Sequence, residues 1–83
     1  SGADAKIKAV QFVQTSRRTA MLIMMSSAGT MKNKVFHCDF DLSNEIMRIF
    51  FRVLNERVTG RDVAEINRAF VQNLAISLGD MAI

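Results

Sequence analysis

Thr19-Ala20-Met21-Leu22-Ile23-Met24-Met25-Ser26 is the stretch that decides how this chain folds. Six apolar residues, Ala20 to Met25, follow one another without alternation, and polar residues bound the run on both sides. A strand with one wet face alternates, whereas a strand covered on both faces need not. The run is short for a helix and has a segment of strand character on each side. It reads as the central strand of a small antiparallel sheet with both faces covered. Leu22 and Ile23, which point to opposite faces, are both expected to be largely buried. The helices that follow cover one face. The other face must meet something outside this chain, so the chain is expected to be part of a larger protein.

Working outward, Lys6-Ile7-Lys8-Ala9-Val10-Gln11-Phe12-Val13-Gln14 is the first strand. Its parity shifts between the lysines and Val10/Phe12, which predicts a twist or bulge. Thr15 to Arg18 is a short polar connection. Ser26-Ser27-Ala28-Gly29 is the next turn, with Gly29 at positive φ. Thr30 to Cys38 is the third strand, which completes a meander. Asp39-Phe40-Asp41-Leu42-Ser43 then switches the period, and Ser43 is the expected N-cap of a helix with Glu45 in its first turn. Ile46, Ile49, Phe50, Val53 and Leu54 recur at helical spacing, and Met47, Phe51 and Val58 widen the apolar arc to about 200°. Arg57 falls inside that arc at the last turn. Gly60 ends the helix. Asp62 with Glu65 makes a capping-box start for a second helix, whose stripe is Val63, Ile66, Phe70, Leu74, Leu78 and Met81, with Gly79 as its stop. Asn67 lies in this stripe and is expected to have a partner. The class is α+β in the order βββαα: a lead-in over 1–5, a sheet over 6–38 and two helices over 43–78.

The 83 residues amount to one domain or less, and 49% apolar content is that of a globular chain. No apolar run approaches the length of a membrane span and no signal peptide is visible, so no membrane partner is expected. A start at Ser1 without methionine is expected of an excised or processed segment. A single cysteine, Cys38, excludes an internal disulfide and fits a reducing compartment, taken as the cytoplasm. The net charge of +3 is uneven: up to Cys38 six basic residues face Asp4, and from Asp39 onward five arginines face seven acids. A basic sheet half is compatible with nucleic acid. Lysines that guard edge strands against pairing account for it more simply. With no Tyr or Trp, there is no evident stacking platform for single strands.

Little points to catalysis. His37-Cys38-Asp39-x-Asp41 gathers metal-ligand types, but neighbours on a strand point to opposite faces, so His37 and Cys38 cannot easily share an ion or form a nucleophile–base pair. The glycines are scattered and make no phosphate loop. The methionines of the central run read as core filling rather than a plastic binding surface. No enzyme activity, cofactor or metal is expected.

Two stretches together resemble the regulatory domain of HrcA-type heat-inducible transcription repressors. Val10-Gln11-Phe12-Val13-Gln14-Thr15-Ser16-Arg17-Arg18-Thr19-Ala20-Met21-Leu22-Ile23, running on to Gly29 and Asn33, is similar to the family's strand, basic turn, apolar strand and hairpin. Leu42-Ser43, then Leu54-Asn55-Glu56-Arg57-x-x-Gly60 and Glu65-Ile66, is similar to its "L-N-E-R-x-x-G-x-x-x-x-E-I" segment. The family's first turn usually carries prolines, where this chain has Gln14 and Arg17. The resemblance implies a partial GAF-like regulatory domain. A winged-helix DNA-binding domain would precede it, and an inserted dimerising domain would lie near or after its end. It also implies a dimeric repressor of chaperone genes, acting at an inverted-repeat operator and kept active by a chaperonin. This segment would be scaffold and sensor, with no DNA-binding residues of its own. The motif residues Leu54, Asn55, Glu56, Arg57, Gly60, Glu65 and Ile66 would be structural. Independently of the resemblance, the wide apolar arc of the first helix and the uncovered sheet face predict a homo-oligomer buried through the sheet face and Met47 and Phe51. The rival readings are a free-standing interaction or dimerisation domain and an RNA-binding βββαα module.

Overall fold

A computed structural model describes residues 5–83; the first part of the lead-in, residues 1–4, lies outside the described residues. Three antiparallel strands, β1 (Ile7–Ser16), β2 (Thr19–Ser26) and β3 (Met31–His37), form a sheet in the order β1-β2-β3, followed by α1 (Asn44–Val58) and α2 (Arg68–Ala82). The class is α+β, βββαα, as the periodicity predicts. Gly29 and Gly60, both at positive φ (84° and 90°), make the β2–β3 turn and the exit from α1. Ser26, buried at the first of these turns, shares its hydroxyl with Thr30 Oγ1 and accepts from the Ala28 and Thr30 amides.

The register gives the sheet two distinct faces. Val10, Phe12, Ala20, Leu22, Met24 and Phe36 share one. Against it pack Phe50, Leu54 and Val58 of α1 and Leu74 and Leu78 of α2, in a single core cluster that also takes in Ile7, Leu42 and Ile66. Both helices therefore lie on one side. On the opposite face β2 shows the alternation that its composition conceals: Leu22 and Met24 are fully buried, Met21 and Ile23 are half-buried, and Met25 is exposed. The expectation that Leu22 and Ile23 are both largely buried holds in full for Leu22 only; Ile23 is half-buried, because the helices cover only one of the two faces. Of the central methionines only Met24 is wholly core.

The bulge expected in β1 is present, as a register shift between Ile7 and Ala9; a second shift falls between Gln14 and Ser16. The strand runs on to Ser16, leaving only Arg17 and Arg18 in the turn. The Gln14 amide donates to the Ser16 carbonyl (2.9 Å) and to that of Leu42 (3.1 Å), tying this turn to the segment before α1. Arg17 and Arg18 both reach Asp41 (3.2 and 2.9 Å), and the Arg18 hydrogen bond holds that exposed carboxyl below its ordinary range.

Ser43 caps α1 as expected, its hydroxyl accepting from the Ile46 amide. The helix buries Phe50, Leu54 and Val58, one residue per turn or so, while Ile49 and Phe51 remain partly in solvent. The second helix is where local signals mislead. The capping box at Asp62 and Glu65 forms, but it opens only a 3₁₀ turn over Val63–Glu65. Ile66 leaves helical geometry (ψ 64°) and enters the core. Asn67, the polar residue in the apolar stripe, then caps α2, its side chain accepting from the Phe70 amide at 2.9 Å. Gly79 does not stop the helix, which continues to Ala82. Replacing Asn67 with Ala removes that cap and is expected to cost about 1 kcal/mol, read as a lower midpoint in a denaturant melt.

Candidate functional site

The motif Leu54-Asn55-Glu56-Arg57-x-x-Gly60 … Glu65-Ile66 folds into one corner of the molecule. Leu54 and Ile66 point inward and are buried. Asn55 closes the helix: its carbonyl accepts the Thr59 amide and its side-chain oxygen the Thr59 hydroxyl, at 3.2 and 3.1 Å. Arg57, predicted inside the apolar arc, is exposed, and its carbonyl accepts from Arg61 Nε at 2.7 Å. Glu56 is exposed.

Gly60 then lets the chain swing back onto the start of β1. The Gly60 amide donates to the Ile7 carbonyl, the Ile7 amide to that of Arg61, and the Val63 amide to that of Ala5. Lys6 and Asp62 pair across this seam at 2.7 Å. Glu65 accepts from Arg61 (3.0 Å) and from the Asp62 amide (3.3 Å). Arg61, which sequence reasoning passed over, joins these parts: besides Arg57 and Glu65 it stands 5.0 Å from the centre of the Phe70 ring. Only its spacing from Arg57 and Glu65, four residues in each direction, hinted at this. The corner is a clasp: Lys6, Asn55, Arg61, Asp62 and Glu65 spend their polar groups on the backbone or on one another, while the Glu56 and Arg57 side chains face solvent.

The His37-Cys38-Asp39 run sits where β3 ends. His37 is exposed and Cys38 half-buried. Burial, and after it the Asp39 charge, push the Cys38 thiol up, so it stays protonated and weakly nucleophilic near neutral pH. Among the described residues no group of three or more His, Cys, Asp or Glu side chains is placed to hold a metal ion.

The remaining feature is the uncovered sheet face. The register aligns Ala9 with Met25 and Met31, Gln11 with Ile23 and Asn33, and Val13 with Met21 and Val35. Val13, Met25, Met31 and Val35 are between 38% and 62% exposed, which makes a contiguous apolar patch. Lys32 and Lys34 align instead with Met24 and Leu22, on the helix side, so the open face carries apolar groups rather than the basic row its strands suggest. Met47 is half-buried and Phe51 is 40% exposed; both belong to the helix layer, across the sheet from this patch.

A family model described as the HrcA protein C terminal domain matches residues 1–82. The chain belongs to the HrcA C-terminal-domain family. The match takes in α2 as well, beyond the motifs that end at Ile66. A heat-inducible transcription repressor HrcA from Acetivibrio thermocellus is 23% identical over 76 residues, 92% of this chain and 22% of the relative. One of the same name from Lactobacillus acidophilus is 27% identical over 74 residues, 89% of this chain and 21% of the relative. The chain thus spans about one fifth of the length of these HrcA relatives. No solved structure matches it. Among the described residues no helix is long and apolar enough to cross a membrane.

Proposed function

We propose that this chain is a regulatory and scaffold segment of a heat-inducible transcription repressor, part of a GAF-like domain that acts without catalysis. The protein that contains it works in the cytoplasm as a dimer. It represses chaperone genes at an inverted-repeat operator and depends on a chaperonin to stay active. The observation that carries this reading is the family match along almost the whole chain, in a family whose curated relatives are named as repressors. The open apolar face of the sheet supports a scaffold role, since a patch of this kind on a folded chain is ordinarily an interface. In the complete repressor the rest of the regulatory domain covers it; in the isolated chain a second copy does. Met47 and Phe51 offer a second contact on the helix side.

The clasp supports a scaffold role for the motif: Leu54 and Ile66 are buried, and Asn55, Gly60 and Glu65 help hold the end of α1 against the start of β1. In a mobility-shift titration the 83-residue chain is therefore expected to bind an inverted-repeat duplex no better than a random one, with weak binding that fades as salt rises. The complete protein is expected to prefer the inverted repeat. Sequence-selective binding by the chain alone near physiological salt, or none by the complete protein, would overturn the reading.

A further inference from the structure

Phe12, Phe36, Phe40 and Phe50 bring four of the chain's six phenylalanines together at one end of the core. Their rings meet edge-on or tilted, with centroids 6.1 Å apart for Phe12–Phe36, 6.5 Å for Phe12–Phe50 and 6.1 Å for Phe40–Phe50. They do not close the space between them. A partly enclosed cavity of about 130 Å³ remains, walled on its far side by Ala75, Leu78 and Gly79 of α2 and bordered by Cys38. The polar residues of its lining are His37 and Asp39, both exposed to solvent.

Gly79 points to what the cavity is for. A glycine inside a helix costs about 1 kcal/mol relative to alanine. The backbone does not require one here, since the only glycines at positive φ are Gly29 and Gly60 among the described residues. Packing does not require one either: a Cβ built at Gly79 meets no atom within 4 Å. What the missing side chain does is leave the cavity unfilled, and Ala75, one turn earlier on the same wall, is small as well. An apolar cavity of roughly 150 Å³ is large enough to take up benzene and stays dry otherwise.

We infer that this cavity is a binding site for a small single-ring aromatic molecule. The ring lies among the phenylalanines against Gly79, and a polar substituent, where the ligand carries one, lies beside His37 and Asp39. The site is separate from the open sheet face, and the inference does not depend on the repressor reading.

Benzene is the probe, with phenol as its substituted counterpart, titrated into the purified chain. Two readouts are followed: the thermal midpoint by circular dichroism and the rate at which Cys38 reacts with a soluble disulfide reagent. The wild-type chain is expected to show a saturable rise in midpoint and a several-fold slower thiol reaction. Gly79→Leu fills the space from the helix side. It is expected to melt higher than wild type without ligand and to lose the response to benzene. Gly79→Ala, which needs no rearrangement, is expected to melt higher and to bind benzene several-fold more weakly. Ile23→Ser, on the open sheet face, is expected to leave both responses unchanged. The inference is overturned if saturating benzene changes neither readout in the wild type. It is overturned equally if Gly79→Ala binds as well as wild type, or if Ile23→Ser abolishes the response, which would place the aromatic site on the sheet face.

Discussion

Leu22→Asp is expected to unfold the chain, whereas Ile23→Asp, one residue along the same strand, leaves it folded. Leu22 is wholly buried beneath the helices, and a carboxylate there has no partner. An uncompensated buried charge costs about 3–5 kcal/mol. That is a large share of the stability of so short a chain, given about 0.05–0.15 kcal/mol per residue. Ile23 is half-buried on the open face, where a carboxylate can stay hydrated. Its effect belongs to association instead. Light scattering of the wild-type chain at micromolar concentration is expected to give at least twice the 9.3 kDa chain mass, and Ile23→Asp is expected to return it to a monomer. Equal denaturant midpoints for the two variants would mean that the faces of β2 are misassigned. A monomeric wild type would mean that the helix layer alone suffices and the open face needs no cover.

The second large effect is expected at Leu54, which separates the buried part of the family motif from the exposed part. Leu54 has no exposure and touches the core beside Phe50 and Val58, so Leu54→Ala should cost about 2–5 kcal/mol, including the cavity left behind. Glu56→Ala, on the exposed side of the same turn, should stay within about 0.5 kcal/mol. Asn55→Ala falls between them at about 1 kcal/mol, because its side chain accepts only the exposed Thr59 hydroxyl. Urea melts of the three variants give the order directly. A Glu56→Ala loss as large as that at Leu54 would show that the motif's surface is bound to something, and that the clasp is not its whole role.

Much of the architecture was legible in the residues. The meander, the cap at Ser43, the positive-φ glycines at 29 and 60, and the helical spacing of Phe50 and Leu54 each follow from rules that act over a few residues, and the structure bears them out. Family membership was readable from two motifs, though what those motifs do was not. Arg61 shows why: its partners are set by Gly60 turning the chain back onto Ile7, a contact between residues more than fifty positions apart.

The sequence by itself determined the order and kind of the elements, since hydrophobic period, caps and turn residues are local properties. Three things were left to the tertiary structure. The uninterrupted run Ala20–Met25 reads as a strand covered on both faces; it is the placement of both helices over Leu22 and Met24 that leaves Ile23 and Met25 to face outward. Asp62 and Asn67 both satisfy the rules for starting a helix. Which of them starts α2 is decided by the burial of Ile66 and by the pairing of the preceding loop with Ala5 and Ile7, which together bend the chain between them. Gly79 reads as a stop signal in one dimension. It lies within a helix because the backbone hydrogen bonds of α2 continue past it, while the space beside it exists only once strands, α1 and α2 have come together.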